Sequence, residues 1–400
     1  MIIDRTVGQI IINIFYLKIL FKDNMNPITK LLFILLALLL YNCGLKKDLL
    51  QKTLASDNSN IKRVMDNAKQ HEIQIIYTQI FRNKKGKVYF KDHTYNLNAA
   101  NYFYPASTVK FPIAILALEK LNTIANTSVN TEYKIEGNDT KLKFSDEISK
   151  VFSVSDNEAS TNLFEFIGFD YINQKMEEKG LSPFRLSHRL SGADSSNPLV
   201  KATTIYKNDN TTEVLPSKFN QQPEKLQLNG LQKGIGYLTA DRKVVNQPFD
   251  FSKKNYYPLE ALHNTLKRIV FPEYFKESER FKITEKDRQF ILFSMQNLPK
   301  NAGYDPIEYY DGYCKFFMYG DTKENIPATV KIYNKVGNAY GTMIDCAYIV
   351  DTENDVEFML SATILANKNG IYNDNIYEYD EISLPFLAEL GRLLYQKTKK

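Results

Sequence analysis

The sequence predicts an α+β fold: an antiparallel sheet built from both chain ends, packed by terminal helices, with an all-helical subdomain inserted between its strands. Three observations predict it. β-rich runs stand early in the chain, at residues 73–81 and 87–95. Three more close it, at residues 328–335, 342–350 and 357–366, followed by a helical run at 378–395. Between these groups the dominant pattern is helical.

The elements follow in chain order. Residues 31–41 (LLFILLALLLY) are an 11-residue apolar run led by Lys30 and followed by Asn42-Cys43-Gly44. A basic lead with a short apolar core reads as an export signal, and the run is short for a membrane span. It resembles a bacterial lipoprotein signal in which Cys43 becomes the lipidated first residue, with Asn42 replacing the usual small residue. Met25 would start such a signal, which makes residues 1–24 an upstream extension; an uncleaved anchor helped by the apolar run 10–21 is the alternative. Both place the bulk of the chain outside the cytoplasm, in the periplasm or cell envelope, tied to the membrane through Cys43. Residues 44–55 read as a tether, and 56–398 as one large domain.

Residues 56–70 have helical spacing, with Ile61, Val64, Met65 and Ala68 on one side. The two early strands are separated by Asn83-Lys84-Lys85-Gly86, a hairpin signal. Next comes Tyr104-Pro105-Ala106-Ser107-Thr108-Val109-Lys110, leading into FPIAILALEKL, apolar enough for a buried helix. Residues 141–180 are helical in pieces, including 157–167. Residues 191–254 are polar and without period, and are expected to be an irregular insertion. Helical patterns return at 258–270 and 285–298.

Composition excludes several functions. Hydrophobic residues make up 44% and charged residues 24%, ordinary globular usage, and the net charge of +5 is spread too thinly to argue for a nucleic-acid partner. The four histidines and three cysteines show no metal-ligand spacing, so neither metal nor cofactor is expected. A Cys314–Cys346 disulfide stays open on sequence alone; Cys346 lies in a strand-like run and reads as a small core residue.

Chemistry is carried by three short motifs. A serine hydroxyl is a weak nucleophile until a base takes its proton. In S-x-x-K at a helix start, positions i and i+3 share a face, so Lys110 can serve Ser107, and the helix dipole favours a developing alkoxide. Ser155-Asp156-Asn157 follows, at the head of EASTNLFEFIG. Lys335-Val336-Gly337 then lies at the end of a strand-like run, followed by Asn338. Each triplet alone is cheap. Ser59/Lys62 repeats the first, Ser56-Asp57-Asn58 the second, and Lys84-Lys85-Gly86 and Lys368-Asn369-Gly370 the third, all in polar settings.

In this order and context the set resembles the S-x-x-K, S-D-N and K-T-G motifs of class A β-lactamases and penicillin-binding proteins. The resemblance covers residues 56–398 with 191–254 unmatched. It implies that fold, and an acyl-enzyme hydrolase of a β-lactam or related cell-wall amide. Ser107 would be the nucleophile, Lys110 its base, and Ser155 a proton donor to the leaving nitrogen. Lys335 would supply positive charge. Asn157, Gly337 and Asn338 would line the substrate, and the N–H groups of Ser107 and Asn338 would bind the oxyanion. Asp156 reads as structural, tying down its own turn.

The pattern also departs from the family. At the place of the class A E-x-x-L-N segment the chain reads RLSHRLSGADSSNPLV, without glutamate, and Asp194 is the nearest substitute for deacylation. Val336 stands where the family usually has a hydroxyl, with Thr342 on the next strand as a replacement. These departures leave acylation intact and put fast turnover in doubt. Alternatives are a D-alanyl-D-alanine carboxypeptidase-like protein and a non-turnover binding lipoprotein.

Overall fold

A computed structural model describes residues 48–399 except 193 and 223, together with residue 26. The export signal and Cys43 lie outside the described residues. Among these, no helix is long and apolar enough to cross a membrane.

The chain from Leu49 opens with helices α1 (Leu49–Leu54) and α2 (Ser59–Met65). The predicted helix at 56–70 stops early, and residues 66–72 form turns leading to Glu72 at φ 46°. Strands β1 (Gln74–Arg82) and β2 (Val88–Tyr95) form the predicted hairpin. Then come α3 (Lys110–Leu121), α4 (Phe144–Ser153), α5 (Asn157–Ile167), α6 (Phe169–Glu178), α7 (Leu259–Val270) and α8 (Glu285–Gln296). The chain closes with β3 (Val330–Ala339), β4 (Thr342–Asp351), β5 (Val356–Leu365) and α9 (Leu384–Thr398).

The sheet runs β3-β4-β5-β1-β2 with every neighbour antiparallel, and β1 pairs β5 from Gln74↔Thr363 to Gln79↔Phe358. Both chain ends therefore build it, as the sequence predicts. Side chains alternate between its faces. Met343, Ala347, Ile349, Phe358, Leu360 and Ala362 pack under α1, α2 and α9, where Leu387, Leu390 and Leu394 recur at helical spacing. Ile76, Ile344, Cys346 and Met359 face the other core, with Leu262 and Leu266 of α7.

Three expectations need correction. Residues 49–54 of the expected tether form α1, whose Leu50 and Leu54 are buried in the core. The inserted subdomain is not all helical: residues 142–143, 132–135, 203–206 and 212–215 form a four-stranded sheet in that order. Nor is 191–254 irregular. It pairs in short strands, 199–200 with 218–219, 232–233 with 249–250, and 236–238 with 244–245 and, in parallel, 371–372. Strands of two to four residues span too few positions to print a period. Cys314 and Cys346 are both free and buried, so no disulfide joins them.

Candidate active site

Ser107 sits in a 3-10 turn (Ala106–Val109) that runs directly into α3. Ala106 just before it has φ 46°, a left-handed conformation that a β-carbon disfavours. Residues three apart along such a turn share one side of it, so Ser107 and Lys110 stand on the same side. The Ser107 N–H is one of the donors that a helix start leaves without an internal acceptor.

Lys110 is fully buried, in a helix whose other residues form the core. Its Nζ lies 2.6 Å from Asn157 Oδ1 and 3.4 Å from Ser155 Oγ, and also donates to the Ser155 carbonyl. Burial, then the nearby charge of Lys335, pushes its pKa down to about 6. At neutral pH it is a free amine, able to accept a proton.

The segment carrying Ser155 is built for position. Asp156 caps α5, its Oδ1 accepting from the Ala159 N–H at 2.8 Å, which fulfils the structural part read for it. Ser155 itself stands at φ 58°. Strained residues thus precede or form both serine positions, as is common where geometry serves chemistry.

Lys335, Val336 and Gly337 lie within β3, which runs on to Ala339 rather than ending there. Lys335 is buried, and its amine donates to Ser155 Oγ at 2.8 Å and to the Val336 carbonyl at 2.9 Å. Burial brings its pKa down to about 8, leaving it largely protonated at pH 7. One hydroxyl, Ser155 Oγ, therefore joins a charged lysine to a neutral one. Among the described residues neither lysine has a carboxylate at ion-pair distance.

β3 is an edge strand. Its hairpin with β4 turns through Tyr340 and Gly341, both at positive φ, which makes Ala339↔Thr342 the closing hydrogen-bonded pair. Pairing alternates along an antiparallel ladder, so the Asn338 N–H points away from β4, off the free edge. Gly337 faces the Ser107 turn: a β-carbon on it would lie 2.9 Å from the Ser107 nitrogen.

A cavity of about 370 Å³ opens here, lined by Ser107, Asn157, Leu190 and Asn338 among others. Ser107 is half-buried at its wall, with Asn157 and Asn338 exposed. Tyr104, Tyr340, Tyr377, Tyr379, Asn373 and Asn375 complete it. Sequence reasoning missed these six, because 26 tyrosines give no single one a signal.

Asp194 does not join this group. It is an exposed turn residue, its carbonyl accepting from the Asn197 N–H, and it is absent from the cavity wall. Two buried glutamates are occupied elsewhere. Glu165 binds Arg189 Nε at 2.7 Å and the Lys201 N–H, while Glu147 binds Asn162 Nδ2 and Lys150. Val336 faces the opposite core, which explains the missing hydroxyl, and Thr342 is buried on β4 away from the cavity wall. Among the described residues no cluster fits a metal ion.

Residues 58–216 match the model of the β-lactamase enzyme family. This segment is similar to that family. The match includes Ser107, Lys110, Ser155 and Asn157. It also runs through 191–216, so that part of 191–254 is matched after all; Lys335, Gly337 and Asn338 fall beyond it. The chain is also similar to several solved structures. The β-lactamase from Sphaerobacter thermophilus DSM 20745 is 12% identical, with 88% of this chain and 96% of that one covered and a TM-score of 0.48. The L2 enzyme complexed with relebactam is 13% identical, at 87% and 98% coverage and 0.48. PBP-A is 13% identical, at 88% and 96% coverage and 0.46. No curated protein matches the sequence.

Proposed function

We propose that this β-lactamase-family hydrolase acts through an acyl-enzyme on Ser107, with a β-lactam or a related cell-wall amide as substrate. The observation that carries the reading is the buried Lys335–Ser155–Lys110 array. Lys110, held neutral, takes the Ser107 proton as Ser107 Oγ attacks the carbonyl carbon. The N–H groups of Ser107 and Asn338 receive the oxyanion. As the amide C–N bond breaks, Ser155 gives its proton to the leaving nitrogen and takes up the one Lys110 received from Ser107, which returns Lys110 to the neutral amine, while charged Lys335 steadies the Ser155 oxygen during the transfer. Asn157 keeps its Nδ2 for the substrate, since Oδ1 is taken by Lys110.

Acylation is expected to outrun deacylation. Among the described residues that line the cavity there is no Asp, Glu or His to activate a water. This favours a long-lived adduct, as in a penicillin-binding or sensing protein, over fast turnover. We place the protein in the cell envelope, tethered through lipidated Cys43; the apolar run 31–41 before that cysteine supports this.

The test is intact-mass spectrometry of the full chain with benzylpenicillin, followed from minutes to hours, beside Ser107→Ala. A persistent adduct on the wild type and none on the variant is expected. Equal labelling of both would sink the assignment of Ser107. Rapid loss of the adduct with penicilloic acid accumulating would overturn the slow-deacylation reading.

A further inference from the structure

Part of the cavity wall comes from residues outside the three motifs. The loop 373–379 follows the short strand Ile371–Tyr372, which pairs in parallel with Gly236–Leu238. The loop is pinned at several points. Asn373 Nδ2 donates to the Leu238 carbonyl at 2.9 Å, the Asn373 N–H to Tyr377 Oη at 2.9 Å, and the hairpin's Gly341 N–H to Tyr379 Oη at 2.9 Å. With its hydroxyl occupied, Tyr377 has its ring to offer the cavity. Asn375 stands at φ 62°, exposed, and its side chain makes no hydrogen bond among the described residues. The loop's own carboxylate, Asp374, is tied to Asn369 Nδ2 and the Ile376 N–H, and is absent from the cavity wall. Among the described residues, no charged side chain lines this cavity.

We propose that Tyr377 and Asn375 set specificity, receiving an uncharged, aromatic, amide-linked side chain on the acyl part of the substrate, because Ser155 and Lys335, which would meet the leaving nitrogen, are not part of this wall. This rests on Ser107 being the acylated residue. An aromatic ring gains an edge or face contact with the Tyr377 ring, and its amide gains a partner in Asn375. An ionised group at the same place would lose hydration without a counter-charge.

The experiment measures the second-order rate of adduct formation with benzylpenicillin, its α-carboxy analogue and its α-amino analogue. The benzyl compound should react fastest with the wild type. Asn375→Lys should raise the carboxy-to-benzyl rate ratio, and Asn375→Asp the amino-to-benzyl ratio, each by roughly three- to fivefold, the scale of an exposed charge pair. Tyr377→Ala should slow the benzyl compound by about tenfold, the scale of an aromatic contact, while Tyr377→Phe, which keeps the ring, should not. Ratios unchanged by both Asn375 variants, or equal losses in the two Tyr377 variants, would overturn the subsite. No adduct with any of the three on the wild type would instead remove the Ser107 reading on which it rests.

Discussion

Gly337 lies against the backbone of Ser107. A β-carbon built on it would stand 2.9 Å from the Ser107 nitrogen and 3.0 Å from the Pro105 oxygen and the Thr108 nitrogen. All three are backbone atoms of the turn that presents Ser107, so nothing there can rotate aside. The glycine sets the spacing between the Ser107 N–H and the N–H of Asn338, its neighbour on β3.

Gly337→Ala should therefore separate these two donors. We expect acylation by benzylpenicillin to fall by about a hundredfold or more, the scale of losing one oxyanion donor. Stopped-flow or mass-resolved acylation rates would check this, with circular dichroism confirming that the sheet persists.

Acylation should follow a bell-shaped pH profile. Lys110 must be neutral to act as base, so the rate rises through about pH 6. Lys335 must stay charged, so it falls through about pH 8. A rate that stays level from pH 5 to 9 would contradict both assignments.

The buried amine of Lys110 also bears on stability. Its folded pKa, about 6, lies far below the ordinary lysine value of 10.5, so between those values the unfolded chain binds the extra proton. Stability from this group therefore rises with pH across that window and is lowest below it. Lys110→Met should be more stable than the wild type by about 2 kcal/mol near pH 6, the lower end of effects seen when buried charge is replaced by apolar volume. The gap should narrow as pH rises towards 10, and thermal melts from pH 6 to 10 would reveal it.

Ser155 carries strain as well as a hydroxyl. Ser155→Gly and Ser155→Ala both remove the acceptor of Lys335 and should slow acylation by about a hundredfold. Only glycine accepts φ 58° without cost, so Ser155→Gly should be the more stable of the two by about 1 kcal/mol in urea titration.

Asp194→Asn should leave adduct lifetime unchanged, since this exposed carboxylate is not part of the cavity wall. A lifetime several times longer in the variant would restore it as a deacylating group.

The sequence by itself determined the strand groups at the two ends, the hairpin, the helices at 157–167, 258–270 and 285–298, and the identity of the motif residues. Hydrophobic periodicity and residue order along the chain are local facts, and each of these features is written in them. The sequence also distinguished Ser107-x-x-Lys110, which opens a buried helix, from the chance match at Ser59 and Lys62 in a polar stretch.

What only the tertiary structure decided depends on distance between segments far apart in the chain. Ser155 Oγ bridging Lys335 and Lys110 joins three elements that no local pattern relates. The direction of the Asn338 N–H depends on ladder parity fixed by the hairpin turn, and the role of Gly337 on what packs against it. Asp194 looked available because sequence proximity to a motif is not proximity in space. Val336 looked like a lost hydroxyl because the facing of a strand residue is set by register, and a single position of shift reverses it. The aromatic and amide wall from 371–379 was invisible for the same reason. Its residues become a site only where the chain end, the insertion and the hairpin converge, and that convergence is a property of the fold.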